Sequence, residues 1–260
     1  MADKIKIGLD AGHGGDSTGT YSVRTETDGI YEKTYTLELC RLVRDRLLAN
    51  GFEVFMTRDS DVKPGNVSER ARQCIAAGCA YAVSIHFNGS TNTGARGTEV
   101  FVPYAESAAG IEAGYQRYLG AFFPLRAPFA RSSDINNKDD VFDKKLNLVT
   151  RKFDAVSTTK KNYFGFVRTG WAGGMSADLL EVCFLTNGAD FSAYLANREA
   201  VASAIARAIT EGYRKVYQEE KPENPEPPPK EPLPENCEAL LTENAALRGK
   251  LEAIREILEQ

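Results

Sequence analysis

Several residue types and patterns are scarce in this chain of 260 residues, and each scarcity narrows the possible functions. There is no run of about 18 or more apolar residues, which a membrane-spanning helix requires. There is also no excess of positive charge, since the net charge is −4, and binding to nucleic acid depends on such an excess. We therefore expect neither membrane insertion nor nucleic-acid binding.

Neither the cysteines nor the first residues of the sequence indicate a secreted protein held together by disulfides. The five cysteines (Cys40, Cys74, Cys79, Cys183, Cys237) are scattered and form no CxxC pair. This pattern indicates reduced thiols rather than a disulfide framework or a cysteine zinc site. The sequence begins MADKIKIGLD, which lacks the apolar core of a signal peptide. We expect synthesis in the cytoplasm and release by another route.

Proline is concentrated in one stretch near the end of the sequence. Residues 218–236 hold seven of the eleven prolines together with many glutamates, a composition typical of an extended spacer. The acidic residues follow the same distribution: from Gln218 onward there are 11 acids and 5 bases. The sequence therefore predicts a nearly neutral globular domain over residues 1–217 and a linker over residues 218–236.

Residues 237–260 have the heptad pattern of a short coiled coil. Apolar residues repeat at the two core positions, interrupted by one asparagine: Leu240, Leu247 and Ile254 at d, and Cys237, Asn244, Leu251 and Leu258 at a. The pattern favours self-association as a dimer or a higher oligomer. The alternative is a helix that packs back on the domain, and the stiff spacer argues against it.

Within the domain, apolar strand-like runs alternate with segments of helical periodicity. The strands are expected at 5–9, 52–56, 81–85, 98–102 and 177–184, and the helices at 33–49, 67–77, 105–122 and 198–216. Such alternation predicts an α/β fold with a mixed, mostly parallel sheet flanked by helices. The polar segment 127–159 is expected to be an insertion or a long loop over the sheet edge.

The two histidines of the chain both follow predicted strands. His13 lies in the glycine-rich turn "GHGG", and His86 comes directly after the strand "YAVSI". Sites in open α/β sheets form beyond the carboxyl ends of the strands. A single histidine there is usually a structural polar group, but two of two indicate a shared metal site.

A catalytic zinc site needs a third ligand, and a carboxylate is the usual partner of two histidines. Glu26, Asp28 and Glu32 are all candidates, and Glu32 is the best because it begins the first predicted helix. The simpler interpretation of Glu32 is a helix cap. The neighbouring glycines would let the backbone approach a metal ion closely.

Glu181 is an acid inside the apolar strand "ADLLEVCF". Burying a carboxylate is unfavourable unless it is paired or has a catalytic use. One interpretation is a salt bridge to an arginine, and the other is the general base of metal-assisted hydrolysis. Strand alternation predicts that Cys183 faces the same side as Glu181.

These segments together resemble the zinc-dependent N-acetylmuramoyl-L-alanine amidases of the amidase 3 type. The resemblance covers about residues 4–217 and rests on "LDAGHGG", Glu32, "SIHFN" and "LLEVCFLTN" in this order. The segments "GFEVFMTRDSD", "ERARQC" and "ARGTEVFV" support it. Two departures are Ala11, where a proline is frequent, and Cys183, where a glycine is usual.

The resemblance implies Zn²⁺ bound by His13, Glu32 and His86, with Glu181 as the catalytic acid and base. The substrate would be peptidoglycan, cleaved at the amide between N-acetylmuramic acid and the L-alanine of the stem peptide. Asn88 is expected near substrate or supporting the ligand loop. Cys183 is expected near the metal, as an oxidation-sensitive neighbour or an alternative ligand.

Three functions remain open at the level of sequence. The first is a peptidoglycan amidase, acting as a phage endolysin because no signal peptide is recognisable. The second is a zinc peptidase that cuts within the stem peptide. The third is a cell-wall-binding scaffold without catalysis, held together by the C-terminal helix.

Overall fold

The computed structural model describes residues 4–21 and 31–218, with only the backbone described for residues 137–140. These residues belong to one compact unit, Met1–Glu219. Most of the predicted linker and the whole predicted coiled coil lie outside the described residues, as do Glu26 and Asp28. Self-association through residues 237–260 therefore stays a prediction.

The described part of the chain forms nine strands and five helices. The strands are β1 (Lys6–Ala11), β2 (Glu53–Met56), β3 (Tyr81–Asn88), β4 (Thr98–Phe101), β5 (Leu125–Asp134), β6 (Asn137–Asp143), β7 (Leu146–Asn147), β8 (Lys152–Phe153) and β9 (Ser176–Phe184). The helices are α1 (Glu32–Ala49), α2 (Val67–Ala76), α3 (Gly110–Leu119), α4 (Gly165–Ala172) and α5 (Gly188–Gly212).

Seven of these strands form one mixed sheet in the order β2-β1-β3-β9-β4-β5-β6. Strands β2, β1, β3 and β9 are mutually parallel along this order, β4 is antiparallel to β9, and β6 is antiparallel to β5. The predicted fold class is confirmed. Because β1, β3 and β9 run in the same direction, the residues that follow or end them meet at one edge of the sheet.

Helices cover both faces of the sheet. The larger core lies beneath α1, α3 and α5 and includes Ile7 and Leu9 of β1 and Leu180 and Val182 of β9. The opposite face has small side chains, including Ala82 and Ala177, on which α2 and α4 pack. Apolar side chains on both faces explain why the central strands read as nearly continuous hydrophobic runs.

Side-chain caps mark the starts of α2, which lies where it was predicted, and of α5, which begins earlier than predicted. Asn66 accepts hydrogen bonds from the backbone of Ser68 and Glu69, and the Glu69 carboxylate accepts one from the Asn66 backbone in return. Asn187 accepts hydrogen bonds from the backbone N–H groups of Ala189 and Asp190, so α5 begins at Gly188, ten residues before the predicted start. The backbone leaves helical geometry at Asn197, which divides α5 where the apolar pattern begins.

The expectation of a long loop over residues 127–159 is wrong. Strands β5 and β6 occupy its first half and extend the main sheet, and the short strands β7 and β8 follow. The polar residues of β5 and β6 give no apolar strand pattern in the sequence. In β5 such residues find polar partners in the sheet: Ser132 donates to the carbonyl oxygen of Val102, and Arg131 pairs with Glu99. Helix α3 is also shorter than predicted, beginning at Gly110.

Within the described ranges, helices that are both long and apolar enough to cross a bilayer are absent. This finding covers only residues 4–21 and 31–218.

Candidate active site

The site begins at the carboxyl end of β1, where the chain turns sharply beneath His86. His13 has a φ of 63°, a left-handed conformation that is unfavourable for residues other than glycine. Gly12 precedes it and packs against the His86 ring, where an added Cβ would lie 2.5 Å from ring carbon Cε1. The two imidazole rings stand edge to face with their centroids 4.9 Å apart. The glycine turn therefore allows both histidines to occupy one corner.

Glu32, the first residue of α1, joins the two histidines. Its Oε1 lies 2.9 Å from His86 Nδ1, and its Oε2 lies 3.3 Å from His13 Nε2. The same carboxylate accepts hydrogen bonds from the backbone N–H groups of Phe87, at 3.0 Å, and Thr20, at 2.8 Å. Glu32 is buried, so these contacts fix its orientation.

The surroundings of Glu32 favour its charged form. Burial acts to raise the pKa of the carboxyl, but hydrogen bonds and charge interactions with His13 and His86 outweigh it and lower the pKa well below its usual range. Ser17 Oγ lies 3.0 Å from Nδ1 of His13, so the other ring nitrogen faces Glu32. An ionised carboxylate and two oriented imidazoles form a set of donors for a cation.

These three side chains fit a zinc ion. One ligand atom from each of His13, Glu32 and His86 lies within 4.8 Å of the others. Tetrahedral ligands at 2.0–2.2 Å from Zn²⁺ are separated by roughly 3.3–3.6 Å, close to the spacing between His13 Nε2 and Glu32 Oε2. Two histidines and one glutamate also leave the fourth position free for water, as in catalytic zinc sites.

Glu181 stands beside this group on β9. It is the register partner of His86 on one side, in β3, and of Glu99 on the other side, in β4. Directly paired residues on neighbouring strands point to the same face of a sheet, so the three side chains form a row. Glu181 is half-buried, and its Oε2 is buried without a hydrogen-bond partner among the described residues.

The environment of Glu181 favours its protonated form. Burial and then the negative charge of Glu32 raise the pKa of this carboxyl well above its usual range, and the cation of Arg131 opposes them. A carboxyl with a raised pKa and a free oxygen, beside a group of metal-ligand type, can take up and release a proton. The arrangement suits hydrolysis of a polar bond.

The sequence that forms this arrangement matches a known protein family. The model of the family described as N-acetylmuramoyl-L-alanine amidase matches residues 7–212 of the chain. The chain belongs to this family. The predicted membership of the amidase family is thereby confirmed.

Two amidases show the similarity at the level of sequence. The amidase AmiC of Neisseria meningitidis serogroup B is 39% identical over 97 residues, covering 37% of this chain and 22% of the relative. The amidase CwlM of Bacillus licheniformis is 33% identical over 92 residues, covering 35% and 34%. The aligned segments thus span between about a fifth and a third of these relatives.

A solved amidase shows the similarity at the level of fold. The N-acetylmuramoyl-L-alanine amidase of Clostridium difficile 630 superimposes with a TM-score of 0.60, covering 82% of this chain and 98% of that structure. Its sequence identity is 21%, so the likeness describes the fold.

A charged cluster next to Glu181 was not predicted from the sequence. Glu99 is buried and forms ion pairs with Arg131 and with Arg126, whose Nε lies 3.3 Å from Glu99 Oε2. Asn88 donates from Nδ2 to Glu99 Oε1 at 2.7 Å, so it supports this cluster rather than the metal-ligand group. Glu99 lies in the segment "ARGTEVFV". An acidic residue inside a predicted apolar strand is the sequence feature that could have identified this cluster.

Cys183 does not join the other predicted site residues. The pairing of β3 with β9 changes register between His86 and Asn88, which are opposite Glu181 and Phe184. This irregularity interrupts the alternation, and Cys183 packs in the larger core with its Sγ 3.9 Å from the carbonyl oxygen of Asp190. Burial raises the pKa of the thiol, so it stays protonated and is unsuited to bind metal.

Proposed function

We propose that this chain is a peptidoglycan amidase that hydrolyses the amide between N-acetylmuramic acid and the L-alanine of the stem peptide. One observation carries the proposal: in a member of the amidase family, the half-buried Glu181, whose Oε2 has no hydrogen-bond partner among the described residues, adjoins a group of two histidines and a glutamate. The peptidoglycan substrate follows from the family.

His13, Glu32 and His86 would hold Zn²⁺, which supplies a Lewis acid that polarises the scissile carbonyl and acidifies water. Glu32 contributes the negative charge, and the backbone N–H groups of Phe87 and Thr20 hold its carboxylate in place. Such supporting hydrogen bonds orient ligands and strengthen their binding.

Glu181 would carry the proton in both halves of the reaction. Its Oε2 takes a proton from the attacking water as the water oxygen bonds to the lactyl carbonyl carbon. The same carboxyl then gives the proton to the alanine nitrogen as the carbon–nitrogen bond breaks. Arg131 favours the carboxylate form that begins the cycle, and Glu32 and burial favour the protonated form that completes it.

The test is digestion of purified peptidoglycan by the full chain, with a zinc chelator, without it, and with Zn²⁺ restored. New amino termini are labelled and identified by mass spectrometry. We expect free L-alanine termini only where zinc is present. New termini at another stem residue would instead identify a peptidase, and no new termini with zinc restored would favour a wall-binding scaffold.

The role of a phage endolysin and assembly through residues 237–260 remain part of the proposal. The proline-rich spacer followed by a heptad repeat supports assembly, whereas the endolysin role stays a prediction. Several catalytic units on stiff arms would bind a polymeric substrate with increased avidity.

A further inference from the structure

A second group of carboxyl side chains is buried away from the histidines. Glu106 follows β4, Glu112 lies in the first turn of α3, and Asp178 lies on β9. All three are buried, and one oxygen atom from each lies within 4.8 Å of the others. Asp178 precedes Glu181 by three residues, or roughly 10 Å along a strand, so the group is separate from the candidate active site.

Two oxygen atoms of this group have no hydrogen-bond partner among the described residues. Asp178 accepts a hydrogen bond from the Tyr81 hydroxyl at 2.8 Å through Oδ2, and its Oδ1 is buried and unpartnered while Glu112 is ionised. When Glu112 is protonated, its carboxyl donates a hydrogen bond to Asp178. Glu106 accepts one from Ser176 Oγ at 2.9 Å through Oε1, and its Oε2 is likewise buried and unpartnered. Buried polar atoms without partners are unfavourable, which indicates that something else satisfies them.

The charges of the group are unbalanced when all three carboxyls are ionised. Lys144 is the buried cation of this region, and its Nζ donates to the backbone carbonyl oxygens of Tyr104 and Glu106 at 2.9 and 2.5 Å. Its positive charge acts on Glu106 and Glu112 from there, without a direct contact between Nζ and a carboxylate in the described ranges. Three ionised carboxylates exceed one ammonium by two negative charges, which is the charge that a divalent cation would neutralise.

We propose that Glu106, Glu112 and Asp178 bind a divalent cation of the calcium type. A cavity of about 180 Å³ adjoins two of them, Glu106 and Glu112, and is also lined by Ser176 and Tyr213. Each water occupies about 30 Å³, so the cavity can supply the water ligands that complete a calcium shell. Calcium takes six to eight oxygen ligands at about 2.3–2.6 Å, and carboxylates with water are its usual donors.

Protons are the competing occupants of the group. Burial and mutual repulsion raise the pKa of the Glu112 and Asp178 carboxyls well above their usual range. Without a cation, these acids therefore favour the protonated form, and calcium would displace those protons. Binding would link α3 to β9, so its expected effect is on stability rather than on the chemical step.

The test measures the melting temperature of the chelator-treated full chain as CaCl₂ is added. For calcium at 100-fold above its dissociation constant we expect a rise of about 5–10 °C. Asp178→Asn removes one charge and one oxygen ligand, and we expect it to fold and to lose this rise. His86→Ala alters the other group of ligands, and we expect it to keep the rise.

Calorimetry of the same samples gives the stoichiometry, with one calcium ion per chain expected. Glu112→Gln provides a second variant should Asp178→Asn fail to fold. An unchanged melting temperature in millimolar CaCl₂ would overturn the proposal, and so would a rise that persists in both variants. A rise lost only in His86→Ala would assign calcium to the histidine group and would also overturn it. None of these outcomes depends on amidase activity.

Discussion

Glu32 and Glu181 are two glutamates at the same edge of one sheet, and their surroundings shift their pKa values in opposite directions. Glu32 has four polar partners, of which two are imidazoles, and its pKa is lowered despite burial. Glu181 has an unpartnered oxygen, and its pKa is raised by burial and by the charge of Glu32 itself. In the proposed mechanism, the negative charge that suits Glu32 to bind metal also raises the pKa of Glu181 and suits that residue to carry a proton.

This contrast shows why residue type alone does not assign a role. The first glutamate is held by a helix start and by backbone donors, whereas the second projects from a strand between His86 and Glu99. Opposite environments for two nearby carboxyls are the usual arrangement in acid–base catalysis. The comparison is open to test by altering each glutamate and then the cation beside Glu181.

The largest effect is expected from Glu181→Gln, which keeps the shape of the side chain and removes its proton transfer. Loss of a general acid–base group lowers the rate by about 10²–10⁴-fold. The raised pKa means that the charged form is unfavourable in the fold, so a neutral side chain should not reduce the melting temperature. The measurements are the rate of release of new alanine termini and a thermal melt.

Zinc content provides the control for Glu181→Gln, because the three proposed ligands are unchanged. We expect wild-type stoichiometry and affinity. A variant that retains activity within tenfold of the wild type, with zinc bound, would exclude Glu181 as the proton carrier. A variant that loses zinc would show that Glu181 belongs with the ligands, and the contrast with Glu32 would be lost.

The next effect is expected from Glu32→Gln, measured by zinc titration against a competing chelating dye. Removing groups that merely support ligands lowers metal affinity by about 10–100-fold, so loss of a charged ligand should lower it at least as much. Lost hydrogen bonds to a charged group should also decrease the free energy of unfolding by about 1.5–3 kcal/mol.

Glu38→Gln is the matched control on the same helix. Glu38 pairs with Arg198 at 3.0 Å on the surface, where such pairs contribute about 0–1 kcal/mol. The pH dependence of stability gives a second readout for Glu32. Its stabilising contribution is present above the pKa that the Glu32 carboxyl has in the unfolded chain. The contribution is lost as the pH falls through the lowered pKa of the same carboxyl in the folded protein. Equal zinc affinities in the two variants would contradict the proposed role of Glu32.

The sequence predicted the parts of this site that follow from strand order. Both histidines stand beside predicted strands, and parallel strands bring such residues to one edge, so His13, His86 and Glu181 were accessible to pattern reasoning. Glu32 was identifiable as a candidate because it stands at the start of the first predicted helix. Local periodicity and strand direction supplied these candidates, and the family resemblance supplied the roles of Glu32 and Glu181.

The charged surroundings were not predictable in the same way. Arg131 reaches Glu99 from β5, a strand whose polar residues hid it from periodicity. The irregular pairing that moves Cys183 into the core depends on the neighbouring strand rather than on its own alternation. The carboxyls of Glu106 and Asp178 meet only through tertiary packing, since 72 positions separate them in sequence.

The smallest effect is expected from Arg131→Gln, which sharpens the comparison without altering either glutamate. Arg131 is the cation that favours the ionised form of Glu181, so its removal should raise the pKa of that carboxyl further. Water activation needs the carboxylate, and the acid limb of the pH–rate profile should therefore shift to higher pH. Rates should converge with those of the wild type above that limb.

Arg126→Gln is the matched control, because Arg126 also pairs with Glu99 but is not among the charges that act on the pKa of Glu181. We expect its acid limb to stay at the wild-type pH. Equal shifts in both variants would mean that the effect passes through Glu99 and the sheet rather than through the field of Arg131. If the acid limb of Arg131→Gln stays at the wild-type pH, then that limb does not report the ionisation of Glu181. The raised pKa of Glu181 would then have no effect on the rate.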